Sequence, residues 1–189
     1  GYSGADAEIK PLADIDLQSL PRTSSGMAEL DRVLGGGLVA GSAILLGGHP
    51  GAGKSTLLLQ MMCHLARAQE ALYVTGEESL QQVAMRADRL GLPADKLQLM
   101  AETNVESIVA AAQKMKPGVL VIDSIQVMHS SALQSAPGSV SQVRECAALI
   151  TRFAKQTNTV VVLVGHVTKE GSLAGPKVLE HMILSLIHI

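Results

Sequence analysis

The most regular feature of the chain is a series of apolar runs of strand length, separated by longer stretches with other patterns. Five runs have this character, at 43–48, 71–76, 97–101, 119–124 and 159–166. They are nearly continuous in apolar residues instead of alternating with polar ones, which is typical of parallel strands covered on both faces. The pattern predicts an α/β fold with a mostly parallel central sheet and helices on both of its faces.

Helical spacing of apolar residues appears between these runs. A short helix is expected near 27–34, ended by the glycines at 35–37, and longer ones are expected over 57–65, 80–90 and 140–154. Their methionine and leucine positions are interpreted as core packing, because apolar residues at this spacing form the buried face of a helix.

Length and composition indicate a single domain with one sizeable core, since the chain has 189 residues of which 47% are hydrophobic. Residues 1–20 are small, polar and interrupted by Pro11, so they are predicted to be an N-terminal linker. Residues 21–182 form the single predicted folded domain, and residues 183–189, ILSLIHI, form an apolar tail with its side chains exposed.

Net charge and cysteine content indicate which partners and which cellular compartment the sequence favours. The formal net charge is −2, so no global charge favours nucleic acid or a membrane surface, and an anionic partner would need a local patch. Cys63 and Cys146 lie far apart without close cysteine or histidine neighbours, which favours a reducing cytoplasm over a metal or disulfide role. No apolar run reaches the roughly 18 residues of a membrane span.

A phosphate-binding loop follows the first long apolar run. Gly48 to Ser55 fits the pattern GxxxxGK[ST] between a predicted strand and a predicted helix, which is the context that this motif requires. Lys54 is expected to reach the β- and γ-phosphates of ATP, and Ser55 to ligate Mg²⁺. The predicted nucleotide-binding set is Gly48, His49, Pro50, Gly51, Ala52, Gly53, Lys54, Ser55 and Thr56.

Polar residues at the ends of other strands complete a candidate catalytic site. Asp123 ends the run VLVID and is expected to hold Mg²⁺ in the Walker-B manner, the alternative being a cap for the next segment. Glu77 is the first choice as catalytic base and Glu78 the second, and one of the two is expected to stabilise the start of the next helix instead. His166 either senses the γ-phosphate or is a solvated residue at a strand end.

Four quoted segments together resemble a known family: TSSGMAELDRVLGGGLVAGSAILLGGHPGAGKSTLLLQ, YVTGEES, VLVIDSIQ and VGHVTKEGSLAGPKVLEHM. They resemble the RecA-like ATPase core of the bacterial RadA family, also called Sms. The likeness runs from about residue 12 to 182. The first and third segments are shared with the wider RecA, DnaB and KaiC group, whereas the last is more specific to RadA.

This resemblance implies a cytoplasmic, DNA-stimulated ATPase of recombinational DNA repair. It implies a hexameric ring that drives branch migration of recombination intermediates on single-stranded or branched DNA, together with a RecA-type recombinase. It also assigns Glu77, Asp123 and the segment 166–177 to catalytic, Mg²⁺-binding and DNA-responsive roles. The zinc of the family belongs to an N-terminal ribbon that this chain lacks, and the tail 183–189 departs from the family pattern and is interpreted as foreign sequence.

The residues themselves offer little for DNA binding. Segment 129–139 has no lysine or arginine, and segment 168–177 offers Lys169 and Lys177 alone. Phosphate contacts dominate affinity for nucleic acid, so two lysines per subunit would bind DNA weakly unless several subunits of a ring bind together. The alternative is that both lysines are ordinary surface charges.

Two other functions compete with the DNA motor. A nucleotide-gated regulatory ATPase of the KaiC type would use the same catalytic residues without acting on DNA. A phosphotransferase acting on a small substrate ranks last, because the sequence contains no motif for a phosphate-acceptor site. For this chain alone we expect nucleotide binding with slow turnover, because such rings complete the transition state with a basic residue from a neighbouring subunit.

Overall fold

The structure, a computed structural model, describes residues 7–16, 21–48, 52–166 and 185–188. Its helices are α1 Ala28–Val33, α2 Ala52–Leu65, α3 Leu80–Arg89, α4 Val105–Met115 and α5 Val140–Thr157. Its strands are β1 Arg22–Thr23, β2 Leu38–Val39, β3 Ala43–Gly48, β4 Ala71–Thr75, β5 Gln98–Ala101, β6 Val119–Asp123, β7 Val160–His166 and β8 Ser185–His188. Single 3-10 turns occupy Leu12–Asp14 and Ile125–Val127.

The central sheet has six strands in the order β5-β4-β6-β7-β3-β8, and every neighbouring pair is parallel. β1 and β2 form a separate antiparallel pair. The five apolar runs read from the sequence correspond to β3 through β7, so the prediction of a parallel α/β sheet is confirmed.

Two apolar layers cover the inner strands β3, β4, β6 and β7, and alternate residues of these strands point into opposite layers. In β6, Val119 and Val121 pack with α2 and α3, whereas Leu120 and Ile122 pack with α4 and α5. All five residues of β6 are buried. This explains why the inner strands are nearly continuous in apolar residues: both faces are buried, so most polar groups lie at the strand ends.

Helix α4 is the main element that the sequence analysis did not name. Asn104 caps its first turn by accepting from the backbone N–H of Ser107, and Lys116 ends it in the left-handed conformation. Its buried face is made by Val105, Ile108 and Ala112. The sequence signal for this helix is weak, because its buried face includes a small alanine and its C-terminus is a lysine where a glycine is usual.

The C-terminal tail contributes a strand to the sheet. Within the predicted apolar tail 183–189, Ser185–His188 form β8, which pairs in parallel register with Ile44–Gly47 of β3. The open edge of β3 presents unpaired N–H and C=O groups, and a short apolar segment satisfies them by adding a strand. The foreign origin of this tail stays a prediction.

The described part of the predicted N-terminal linker, residues 7–16, is exposed throughout. Ile9 and Leu12 are 93% and 87% exposed. Among the helices that the structure describes, none combines the length and the apolar character that a membrane span requires.

The buried layer on the α4 and α5 side predicts a large effect of truncation. Leu120→Ala should lower the free energy of unfolding by about 2–5 kcal/mol, because Leu120 is fully buried and its loss leaves a cavity. The exposed Met85 of α3 is the matched control, and Met85→Ala should change stability by less than about 0.5 kcal/mol. Urea unfolding of both variants checks this, and equal effects would contradict the assignment of the layer.

Candidate functional site

The candidate site lies where four adjacent strands, β4, β6, β7 and β3, reach the same edge of the sheet. The register sets Thr75 level with Asp123 across β4 and β6, and Gly48 level with His166 across β3 and β7. Ligands of open parallel sheets bind beyond the carboxyl ends of the strands. The topology therefore gathers polar residues from four separate parts of the chain at one place.

The phosphate loop connects β3 to α2. Gly48 ends β3, and Gly53, Lys54, Ser55 and Thr56 lie in the first turns of α2, which begins at Ala52. The backbone N–H groups of a helix N-terminus lack partners within the helix and favour an anion. A Cβ atom built on Gly53 would meet no heavy atom within 4 Å, so glycine is not required here by packing within the described chain. The predicted residues His49, Pro50 and Gly51 lie outside the described residues.

Lys54 is the buried charge of the site, with only 4% of its surface exposed. Its ammonium nitrogen lies 3.2 Å from the carbonyl oxygen of Gly48, 3.1 Å from that of Gly165 and 3.0 Å from Nδ1 of His166. Burial lowers the pKa of Lys54, and the nearby carboxylates of Asp123 and Glu77 oppose this shift. The three N–H donors of the ammonium thus match three acceptors.

His166 joins Lys54 to Glu77. With Lys54 protonated, its ammonium group only donates hydrogen bonds, so Nδ1 of His166 accepts from it and carries no proton. The ring proton then lies on Nε2, which is 3.4 Å from the Glu77 carboxylate and donates to it. The side chain of His166 is 19% exposed, so it is not a solvated residue at a strand end but the middle of a Lys54–His166–Glu77 chain.

Asp123 is 3% exposed at the end of β6. Its Oδ2 accepts a 2.8 Å hydrogen bond from the phenol of Tyr73, and its Oδ1 is buried with no hydrogen-bond partner among the described residues. Burial raises the pKa of Asp123, while the Tyr73 hydrogen bond lowers it. The peptide bond that joins Asp123 to Ser124 is cis. One carboxylate oxygen is therefore fixed, and the other remains available to a ligand.

Glu77 lies beside Asp123 in the turn after β4. Its carboxylate accepts from the hydroxyl of Ser124 at 3.1 Å, and its side chain is 39% exposed. The hydrogen bond from His166 lowers the pKa of Glu77, with burial acting against it. Gly76 allows this turn to pack closely, because a Cβ there would lie 2.6 Å from a methyl carbon of Val127.

Glu78 has a different environment from Glu77. Its two carboxylate oxygens accept from one nitrogen of Arg86 at 2.7 and 2.6 Å, and both side chains are largely buried. The next residue, Ser79, caps α3 in a capping box with Gln82. The structure thus separates the two acids: Glu77 faces the strand ends, whereas Glu78 holds the turn to α3.

The donor chemistry of the site suits a divalent cation. Glu77, Asp123 and His166 each offer an atom within 4.8 Å of the others. Because Nε2 of His166 is a proton donor while Lys54 holds Nδ1, the available ligand atoms are carboxylate oxygens. Together with the unpaired Oδ1 of Asp123 and the half-buried Ser55 at the start of α2, this set fits Mg²⁺, which prefers oxygen ligands.

Sequence reasoning missed three residues that shape this site. Tyr73 lies inside an apolar strand, Arg86 lies on α3, and Gln126 lies in the 3-10 turn after β6. The side chain of Gln126 donates to the carbonyl oxygen of His166 at 3.0 Å and accepts from its N–H at 3.3 Å. A glutamine within the otherwise apolar stretch 125–128 was the available signal, since buried polar groups require partners.

The predicted DNA contacts Lys169 and Lys177 lie outside the described residues. Segment 129–139 is described, and it is tied to α4 and α5. Glu106 accepts from the hydroxyl of Ser130 and from the N–H of Ser131, and Gln142 accepts from the N–H of Ser130.

Comparison with known proteins gives the family. A family model described as an AAA domain matches residues 21–172. The chain is 65% identical over 184 residues to the DNA repair protein RadA of Haemophilus influenzae, a match that covers 97% of this chain and 40% of that protein. It is 63% identical over 185 residues to the Escherichia coli protein of the same name, covering 97% and 40%, respectively.

More distant relatives agree. The Bacillus subtilis DNA repair protein RadA is 49% identical over 179 residues, which cover 94% of this chain and 39% of that protein. A solved KaiC-like protein from Pyrococcus horikoshii has a similar fold, with a TM-score of 0.68, 20% identity and coverage of 89% of this chain and 80% of that one. The fold is thus RecA-like and related to that of KaiC.

The chain spans about 40% of the length of the curated relatives quoted from Haemophilus influenzae and Escherichia coli. The high identity to these relatives over nearly the whole chain shows that this chain belongs to the RadA family of bacterial DNA repair proteins.

Proposed function

We propose that this chain is the motor core of a DNA-dependent ATPase of recombinational repair. The observation that carries the ATPase half is the convergence of Lys54, Asp123 and Glu77 at one edge of the sheet, linked by His166. A buried cation beside a helix N-terminus binds phosphate, and two carboxylates beside it supply a metal ligand and a base.

Each residue has a distinct role in this proposal. Lys54 binds the β- and γ-phosphates, because a phosphate oxygen is a stronger partner for an ammonium group than a carbonyl or imidazole. Asp123 and Ser55 hold Mg²⁺, which neutralises charge on the phosphates when bound. Glu77 orients and deprotonates the attacking water as an ionised carboxylate, whose pKa is lowered further by the hydrogen bond from His166.

Nucleotide binding is proposed to break the Lys54–His166 hydrogen bond. In the described structure all three donors of Lys54 are occupied, so a phosphate must replace at least one of its acceptors. Release of Nδ1 frees the His166 ring to face the γ-phosphate or Glu77. Segment 168–177 follows His166 almost directly in the chain. A movement of His166 on nucleotide binding is therefore the proposed way in which bound nucleotide affects this segment.

The DNA half of the proposal rests on the family. The relatives are named DNA repair proteins, and the RadA resemblance extends through 166–182. We propose branch migration on single-stranded or branched DNA by a cytoplasmic hexameric ring, with a RecA-type recombinase as partner and Lys169 and Lys177 as DNA contacts. Zinc would belong to a ribbon domain outside this chain.

Lys54→Ala should abolish ATP hydrolysis and weaken nucleotide binding at least about tenfold, the loss expected for a charge-assisted contact to phosphate. The matched control is Lys155→Ala on the far end of α5. Titration of a fluorescent ATP analogue into each full-length variant measures the effect. Unchanged affinity for Lys54→Ala would exclude the phosphate role.

The two acids are separated by parallel substitutions. Glu77→Gln should leave nucleotide affinity nearly unchanged and slow hydrolysis by about 10²–10⁴, the usual contribution of a general base. Glu78→Gln should instead lower the melting temperature, since it weakens the pair with Arg86, and should retain most of the hydrolysis. Steady-state hydrolysis and thermal unfolding distinguish them, and the reverse pattern would make Glu78 the base.

DNA dependence is tested on the full-length protein. Single-stranded DNA should stimulate ATP hydrolysis, and the double variant Lys169→Ala/Lys177→Ala should reduce DNA retention and flatten its dependence on salt. This chain alone should hydrolyse ATP more slowly than the DNA-stimulated full-length protein. If DNA changes neither rate nor nucleotide affinity, the KaiC-like regulatory function replaces the motor.

A further inference from the structure

Tyr73 is a fully buried phenol whose hydroxyl points at the candidate metal ligand. It lies in β4 opposite Val121 of β6, two residues before the level of Asp123. Side chains two residues apart on neighbouring strands share a face and lie within reach of a long side chain. The register therefore brings the Tyr73 hydroxyl to Oδ2 of Asp123, at 2.8 Å.

Packing alone does not explain the hydroxyl. The ring of Tyr73 belongs to the apolar layer formed with α2 and α3, where a phenylalanine ring would occupy the same volume. A hydroxyl buried in such a layer is costly unless it makes a hydrogen bond, and Asp123 is the acceptor that this one reaches. The contribution of the hydroxyl is thus directed at the carboxylate and not at the core.

The hydrogen bond divides the two oxygens of Asp123 between different tasks. Oδ2 is held by Tyr73, so the carboxylate cannot rotate freely about its terminal bond. Oδ1 is buried and has no hydrogen-bond partner among the described residues. The ligand atoms of Glu77 and His166 lie within 4.8 Å of that of Asp123, so the carboxylate borders the site and not the core alone.

We propose that Tyr73 is a positioning residue for the divalent cation: it fixes Oδ2 of Asp123 so that Oδ1 is presented to Mg²⁺ or to its coordinated water. Tyr73 itself does not touch the cation or the nucleotide. This inference rests on the proposed function, because it assumes that Asp123 serves Mg²⁺ bound with ATP. Outer partners of this kind commonly set the affinity of a metal site through the orientation of its ligands.

The test is Tyr73→Phe in the full-length protein, which removes the hydroxyl and keeps the ring. Binding of a non-hydrolysable fluorescent ATP analogue is titrated with Mg²⁺, and once more in EDTA. The Mg²⁺ concentration at half-saturation should rise about tenfold, which corresponds to the loss of one hydrogen bond to a charged group. Affinity in EDTA should stay unchanged, because the phosphate loop is intact.

Ile150→Val is the matched control for a general loss of stability. Ile150 is fully buried in the opposite layer, so its truncation should lower the melting temperature without moving the Mg²⁺ midpoint. If Tyr73→Phe behaves like Ile150→Val, Tyr73 is structural and the inference is wrong. If the wild-type protein binds the analogue equally with Mg²⁺ and with EDTA, the metal assignment in the proposed function fails instead.

A second measurement keeps the hydroxyl of residue 73 in place. With 3-fluorotyrosine placed at position 73, the ¹⁹F resonance should shift when Mg²⁺ and the analogue are added together, and should not shift with the analogue in EDTA. A ¹⁹F resonance that does not change when Mg²⁺ is added would contradict the positioning role of Tyr73.

Discussion

The architecture depends on one constraint: both faces of the inner parallel strands are covered, so nearly all polar side chains of these strands lie at the strand ends. In β6 this constraint buries Val119 through Ile122 and leaves Asp123 as the first polar residue. The same constraint acts on β4 and β7, which deliver Thr75 and His166 to the same edge. Site and core are therefore two results of a single packing arrangement.

Lys54 shows how a buried charge organises this edge. Its ammonium is removed from water and stabilised by three acceptors. One is the Gly48 carbonyl at the end of β3, and the other two are the Gly165 carbonyl and the His166 imidazole at the end of β7. Such a cation is costly to bury, and exchange of its partners for phosphate oxygens provides a better match. We propose that the hydrogen bond lost in this exchange is the one to His166, which links Lys54 to Glu77 and directly precedes the segment after β7.

Much of the fold followed from the sequence because its elements have strong local patterns. The five apolar runs define β3 through β7, and Gly48 to Ser55 defines the strand-to-helix connection. Strand order was not predictable, since it depends on contacts between distant segments. The choice between Glu77 and Glu78 also required the structure, because it depends on Arg86, eight residues beyond Glu78. Tyr73 was hidden in an apolar strand, and its partner lies 50 residues away.

The central claim is that Lys54 exchanges His166 for a phosphate when nucleotide binds. The most direct measurement is ¹⁵N NMR of the His166 ring, assigned by comparison with His166→Gln. In the free protein Nδ1 should be unprotonated and hydrogen-bonded, and saturation with Mg²⁺ and a non-hydrolysable ATP analogue should shift its resonance as the Lys54 donor leaves. A protonated Nδ1 in the free protein, or a resonance unchanged at saturation, would contradict the account.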